Sequence, residues 1–547
     1  MKKVINFIKE EWIFIIILLA VFTAGGLLRF WQLDTIPPGL QYDEAYNGTD
    51  AIKALENGKF EIFYPDNNGR EGLYINVIAV FFNTFGINMV VLRAVSAVFG
   101  LFALFGFALL IKELKLSRLS MLLGTFMMSF SFWAINFSRT AYRGIMVPFL
   151  IVWIFYFFYL GLRRKNGWFI ALSGLLTGIG FHTYISFRVV PLIFFIVVLG
   201  GIIFEKGYIK TYWKKALIFI FATVITLAPI LIYFYQHQSD LIGRSNAVSV
   251  FNSPDMSLPT ALGKSLAYHV GAFFIHGDPN QRHNHGALPL LPATWSILFG
   301  LGLVISIKEI IVNIIQRIKK KKKYKPSRLL QVSIFAQACF WTMLIPGVLS
   351  IEGIPHALRI IGAIPAVFLI AVLPFEYAIN LYEKIRKSKN LKLKPWRWNV
   401  LRGSLIGLVI LVLISGGLQA YLYFGVWAKD NKTFDSFERK LYDLGLAIKQ
   451  QEPKENNFII VPDPIYISEN KRDSSYKTSE LVAYPEYKSF FFWHPLDAIR
   501  HSTCENALYV FAESDEWLIE SFKIKCPELE AQKVKPEGGI YNFWILR

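Results

Sequence analysis

Two groups of residues in this 547-residue chain have types and spacings suited to chemistry. The first is the pair Asp43-Glu44, within LDTIPPGLQYDEAYNGTDAIKALENGKF. A carboxylate within about 3 Å of a hydroxyl can take its proton as a general base. The pair also fits a helix start, with Asp43 as N-cap and Glu44 as a first-turn acid that complements the helix dipole. Ala45, Gly48, Ala51, Ile52 and Leu55 would then share one face, and Gly58 suits the C-terminal cap. Spacing alone leaves both readings open. The second group is HVGAFFIHGDPNQRHNHG (269–286), which holds His269, His276, Asp278, His283 and His285. Imidazole and carboxylate at this density can bind a divalent metal, with His276, Asp278, His283 and His285 as the candidates. The spacing matches no standard zinc pattern, and the alternative is a polar substrate-facing or merely solvated loop.

The elements that must position these residues are apolar. The chain is 54% hydrophobic and only 18% charged, with mean hydropathy +0.41. That excludes a disordered, collagenous or ordinary soluble protein and predicts an all-α polytopic membrane domain over 1–424. A bilayer core of about 30 Å needs roughly 20 apolar residues per helix. Eleven spans follow: 12–30, 89–111, 119–137, 146–161, 168–182, 187–204, 216–235, 293–315, 329–349, 360–382 and 403–424. Residues 73–86 are too short and predict an interfacial helix.

The net charge of +19 would suggest nucleic acid, but its distribution does not. With the N-terminus cytoplasmic, the inner segments hold 29 Lys and Arg against 5 acids, and the outer loops 11 against 12. This is the positive-inside pattern of a multi-pass cell-membrane protein, and no nucleic-acid partner is expected. Membrane lipid is the partner of the basic run Lys319–Lys323. The Lys- and Ile-rich composition reads as bacterial.

The same parity places 425–547 outside the cell. This segment carries 16 Lys and Arg, 20 acids and no spanning run. Helical periodicity over 434–450, apolar stretches NFIIVPD and ALYVFAE, a helix at 515–525 and a terminal strand in IYNFWILR predict a small α/β domain. Cys504 and Cys526 would meet an oxidising compartment there, as a disulfide or as buried thiols.

An Asp-Glu pair in the first outer loop, after a single span, resembles the protein O-mannosyltransferase and aminoarabinose transferase group. These belong to the glycosyltransferase C superfamily, and the chain is most similar to glycosyltransferase family 39 and its bacterial relatives. The stretches that carry the resemblance are GLQYDEAYNG (39–48), GREGLYINV (69–77), INMVVLRAVSAVFG (87–100), FSRTAYRGIMVPF (137–149) and GIPHALRIIGAIP (353–365). It covers nearly all of 12–424.

The resemblance implies an integral-membrane, inverting glycosyltransferase. Its donor is a polyprenyl-phosphate-linked sugar and its acceptor a hydroxyl of a glycan, lipid or protein, used on the outer face. It assigns the general base to Asp43 with Glu44 beside it, and implies that no cofactor or metal is required. A departing polyprenyl phosphate needs cationic donors, preferably Arg forks. Arg359, Arg143, Arg139 and Arg188, all at outer turns, are the candidates, unless they only reach toward headgroups. Tyr42, Tyr46, Glu71, His269 and His356 are expected to line the substrate site. Glu71 and Arg70 stand where many relatives carry a basic-Pro-Pro stretch, so Glu71 is either a second acid or a structural cap. Two other readings compete. One is an O-antigen ligase or polymerase, whose large functional loop would come late in the chain. The other is a lipid-linked sugar transporter or flippase, which would place charge in the spans.

Overall fold

The computed structural model describes residues 2–247, 250–252, 257–320, 324–350, 352–387, 395–460, 476–486, 490–493, 495–513 and 516–547. The chain divides into two compact units, one of residues 1–31, 61–74 and 93–427, the other of 32–60, 75–92 and 428–547. Along the sequence the last boundary falls at 427/428, and much of the first long loop groups with the C-terminal segment.

The first unit is a helical bundle. Among the described residues nine helices of the chain are long and apolar enough to cross a membrane. They are Glu11–Phe30, Met89–Glu113, Arg143–Arg163, Ile185–Phe204, Tyr208–Gln236, Ala293–Lys319, Leu330–Val348, Ile361–Arg386 and Trp396–Lys429. Arg118–Phe130 and Phe132–Arg139 form a tenth if taken together, bent by 56° at Ser131. The expected span 119–137 is therefore broken, because Ser131 leaves the helical region at φ −61°, ψ 127°. The span expected at 168–182 is shorter than expected, a 14-residue helix Gly167–Gly180. It lies tight against Tyr208–Gln236 through Gly174 and Gly178. A Cβ on either would come within 2.4 Å of a backbone carbonyl, of Phe219 or Thr223. Thr223 Oγ1 bonds the Gly174 carbonyl at 3.1 Å and Thr226 Oγ1 that of Leu175 at 2.9 Å. Small residues four apart and hydroxyls between helices are how apolar helices associate where burial from water supplies little drive.

Charge is less absent from the bundle than its apolar runs suggest. Arg29 is buried and bonds the carbonyls of Gly25, Met128 and Ser129. Glu376 is buried, accepts from Ser117 N–H and Ser120 Oγ, and pairs with Arg328. Each sits at a helix end where a polar partner is available, the condition under which a buried ion is tolerated.

In the second unit the expected helix runs from Tyr42 to Asn57, and Gly58 ends it at φ 63°. Its Ala45, Gly48, Ala51 and Ile52 face is buried. Gly48 lies on Leu481 of helix Lys477–Val482, so close that a Cβ would fall 2.5 Å from Leu481 Cδ2. The helix is thus packed on protein here. Helix Leu73–Phe85 occupies the stretch expected to be interfacial.

The sheet of this unit has five strands. Numbering the ribbon Phe63–Tyr64 and Arg70–Glu71 of the first unit as β1 and β2, they are β3 (Asn456–Ile460), β4 (Phe490–Trp493), β5 (Ala507–Phe511), β6 (Ala531–Val534) and β7 (Phe543–Leu546). Their order is β4-β3-β5-β7-β6, parallel across β4-β3-β5 and antiparallel after that. Side chains alternate along each strand. Ile459, Leu508 and Val510 pack with Leu444 and Ile448 of helix Arg439–Lys449, whereas Phe458, Ile460, Tyr509 and Phe511 pack with Leu518, Ile519 and Phe522 of helix Glu516–Lys525. This is the α/β domain the sequence predicts, with strands β4 and β6 beyond those expected. The helix expected over 434–450 is two helices, Asn431–Ser436 and Arg439–Lys449, because Glu438 adopts a left-handed φ of 53°. Residues 461–463 of the expected NFIIVPD strand lie outside the described residues. Cys504 and Cys526 are disulfide-bonded, and Cys339 is a buried free thiol in the bundle.

Candidate functional site

Three connections of the first unit meet through their side chains: the turn 140–145 after the bent helix pair, the loop 276–291, and the segment 352–360. The loop 276–291 is built by its own short polar side chains. Asp278 Oδ1 accepts from Asn280 N–H at 2.8 Å, and Asn280 Oδ1 accepts from Arg282 N–H at 3.0 Å. Asx turns of this kind replace regular secondary structure. Asn284 Nδ2 closes the loop on the Leu288 carbonyl at 2.6 Å. Two outside donors fasten it: Asn136 Nδ2 to the Arg282 carbonyl at 2.7 Å and Trp427 Nε1 to the Gln281 carbonyl at 2.8 Å. Trp133 Nε1 holds the segment 352–360 at the Ala357 carbonyl, 3.2 Å away.

Inside this frame lies a buried polar cluster. Asp278 Oδ2 accepts from Ala357 N–H at 2.7 Å and from His283 Nδ1 at 2.9 Å. His356 Nδ1 lies 4.0 Å from the same oxygen, and the His283 and His356 rings are 4.8 Å apart. His269 Nδ1 donates to the Ser265 carbonyl at 2.8 Å, which leaves Nε2 to accept from His356 N–H at 3.2 Å. Both bonds need a neutral imidazole. Burial, first of all, pushes the His356 pKa well below 6.5, with His283 and Arg359 adding to the effect, and burial also lowers that of His269. Charging either ring would cost desolvation that no acid fully offsets.

A second cluster adjoins it along the chain. The Tyr142 ring lies 6.3 Å from that of His283, and the next residue, Arg143, bonds Glu71 Oε2 through Nη1 at 2.7 Å. Both partners are buried. Glu71 Oε1 faces Arg188 Nη2 at 3.5 Å, and the Arg143 guanidinium stands over the Tyr184 ring. Glu71 is therefore neither a helix cap nor an isolated acid. It is the shared counter-ion of two arginines expected to meet phosphate.

Arg359 bonds Glu352 through Nη2 at 2.8 Å. Its Nη1 is buried without a hydrogen-bond partner among the described residues. Arg139 is fully buried, donates Nη1 to the Leu28 carbonyl at 3.0 Å, and packs under the Tyr423 and Phe424 rings.

The metal candidates rearrange. His276 is exposed and the His285 ring faces Gln281 Nε2 at 3.2 Å. Among the described residues the potential ligands that converge are Asp278, His283 and His356, all within 4.8 Å. His356 had been expected only to line the site. Seventy-nine residues separate Asp278 from Ala357, so no spacing rule joins the loops. The visible signal was the pairing of two polar, Pro-containing stretches, HGDPNQRHNHG and GIPHALR, each beside a long apolar run. The anchors Asn136, Trp133 and Trp427 had no such signal.

In the second unit the cap is Gln41, not Asp43. Gln41 Oε1 accepts from Asp43 N–H at 2.7 Å, and Glu44 reaches back to Gln41 N–H at 3.3 Å. This reciprocal pair is a capping box. Glu44 is buried in that duty, while Asp43 is half-buried in the first turn. Tyr42 and Tyr46 are half-buried on the same turns, Tyr46 with Lys477 Nζ 6.0 Å from its ring centre. A cavity of about 700 Å³ opens among the basic turns of the bundle, lined by Glu113, Arg163, Tyr208, Arg317 and Arg328, and shares no residue with either buried cluster.

No protein-family model matches the sequence, and no curated protein does. Solved structures do match. The chain has the fold of ArnT from Cupriavidus metallidurans. Against ArnT bound to undecaprenyl phosphate the TM-score is 0.56 at 12% identity, covering 96% of this chain and 97% of that one. Against the apo state it is 0.53 at 12% identity, covering 98% of both chains.

Proposed function

We propose that this chain is an integral-membrane, inverting glycosyltransferase that moves a sugar from a polyprenyl-phosphate donor to a hydroxyl acceptor on the outer side of the membrane. The observation that carries the reading is the ArnT fold, shared over nearly the whole of both chains, with undecaprenyl phosphate bound in one of the two structures. The buried arginines support it, since a lipid phosphate leaving group needs fixed cations in a dry site.

In a single displacement the acceptor oxygen attacks the anomeric carbon as the bond to the phosphate oxygen breaks. The hydroxyl proton goes to a base, and the phosphate leaves with the bonding electrons. We assign the base to Asp43, because Gln41 and Glu44 perform the capping that would otherwise occupy it. Arg359, with a buried Nη1 that has no partner among the described residues, is assigned to the leaving phosphate. Arg143 and Arg188 are assigned to it as well, held in place by Glu71. With the base in an extracytoplasmic loop, the donor arrives as a lipid, because no nucleotide sugar is supplied there.

The test is turnover of the full chain in nanodiscs with a panel of polyprenyl-phosphate sugars, reading release of free polyprenyl phosphate. Release by wild type and its loss in Asp43→Asn at equal folded yield is the expected result. Release by neither, with donor binding absent, would overturn the assignment.

A further inference from the structure

We propose that Asp278, His283 and His356 form a divalent-metal site, with zinc the ion its donor set favours. Two imidazoles and one carboxylate are a recurrent zinc ligand set that leaves a position for an oxygen of water or of an anion. The proposal rests on the geometry of this cluster and goes beyond the glycosyltransferase reading, which requires no ion.

The first argument is distance. Zinc held at about 2.0–2.1 Å by each donor puts neighbouring donors roughly 3.3 Å apart in a tetrahedron. Asp278 Oδ2 is 2.9 Å from His283 Nδ1 and 4.0 Å from His356 Nδ1. All three donors lie within 4.8 Å of one another, so the widest pair closes by up to about 1.5 Å to reach that spacing.

The second argument is the unused donor. His356 Nδ1 is buried and has no hydrogen-bond partner among the described residues. Leaving such an atom dry and unpaired is unfavourable, and a metal bond would remove that cost.

The third is the outer shell. Asp278 Oδ1 is held by Asn280 N–H and Oδ2 by Ala357 N–H, while His356 N–H is fixed by His269. Partners of this kind orient metal ligands. The proton balance closes simply. On binding, neutral His283 changes tautomer, its proton passing from Nδ1 to Nε2 by way of solvent, so that Nδ1 is free to bind and the hydrogen bond to Asp278 becomes a shared bond to the ion.

The experiment is zinc content and affinity of the full-length protein in detergent, stripped with chelator and titrated with ZnCl₂, read by elemental analysis after desalting. About one equivalent should be retained by wild type and by His276→Ala, and lost by at least tenfold in affinity in His356→Gln and Asp278→Asn. Cobalt substitution of the wild type supplies a readout independent of any variant's folding, as a visible d–d band. No retained zinc and no cobalt band, or equal retention in all four proteins, would overturn the site and leave a hydrogen-bonded cluster. Because metal content is read without turnover, this result stands apart from the success or failure of the transferase reading.

Discussion

Glu71 Oε2 and Arg143 Nη1 lie 2.7 Å apart with both side chains buried, and Arg188 approaches the other oxygen of the same carboxylate at 3.5 Å. One anion therefore neutralises two guanidiniums, that of Arg143 buried and that of Arg188 partly exposed. Removing the anion alone strands the cations, an error that typically costs 3–5 kcal/mol. Glu71→Gln should accordingly lower stability by about 3 kcal/mol or more. Glu71→Gln combined with Arg143→Met should recover part of that loss, because the double change removes both members. Thermal melts of the four proteins of this cycle, in one detergent, check the sign of the coupling.

At the start of helix Tyr42–Asn57 three neighbours have three separable duties. Gln41→Ala removes the cap and should cost about 0.5–2 kcal/mol. Glu44→Gln preserves the capping box and should cost little, since Gln serves at that position as well as Glu. Asp43→Asn should leave the melting temperature within a degree or two while cutting turnover by about 10²–10⁴, the range for loss of a general base. Equal turnover in Asp43→Asn and wild type would reduce Asp43 to a first-turn acid.

What could be read from the sequence follows physical range. Apolar runs located the bundle because a span is a local property, and the short apolar stretches of NFIIVPD and ALYVFAE marked strands that helices cover on both faces. The cap was misplaced by two residues because Gln is a weak statistical capper, and only the reach of its amide oxygen to Asp43 N–H reveals the choice. The role of Glu71 was out of reach for another reason. Its partners stand 72 and 117 positions away, and nothing local distinguishes an acid awaiting an arginine from one awaiting water. Arg29 was missed likewise, since its partners include carbonyls about a hundred residues on.

The disulfide gives a prediction confined to the second unit. Cys504 and Cys526 close a loop with a separation of 22 residues. In the chain-entropy account such a cross-link is worth about 3 kcal/mol. Cys504→Ser with Cys526→Ser should lower the stability of this unit by about that amount. Hydrogen exchange on β5 and on helix Glu516–Lys525 would show the loss, with the exchange of the bundle helices unchanged.

Gly347 sets the position of His269. A Cβ there would stand 2.5 Å from His269 Nε2 and 2.7 Å from Ile360 Cγ2. Gly347→Ala should therefore push the imidazole off His356 N–H and cost about 1–3 kcal/mol, as overpacking does. Faster amide exchange at His356 and Ala357 is the expected signature, and protection equal to wild type would contradict it.

The neutral histidines make stability depend on pH in a definite direction. His356 and His269 are both held below the ordinary imidazole value of 6.5 by burial. Below pH 6.5 the unfolded chain takes up protons that the folded chain refuses, so acid favours unfolding. Their contribution is complete above about pH 6.5 and falls as pH drops toward the depressed folded values, at up to about 1.4 kcal/mol per pH unit for each group. Melting temperatures measured from pH 8 to pH 5 should be flat and then decline, and His356→Gln should have the shallower decline. Saturating zinc should steepen the loss in the wild type alone, because an ion bound to neutral imidazole adds stability that protons compete away.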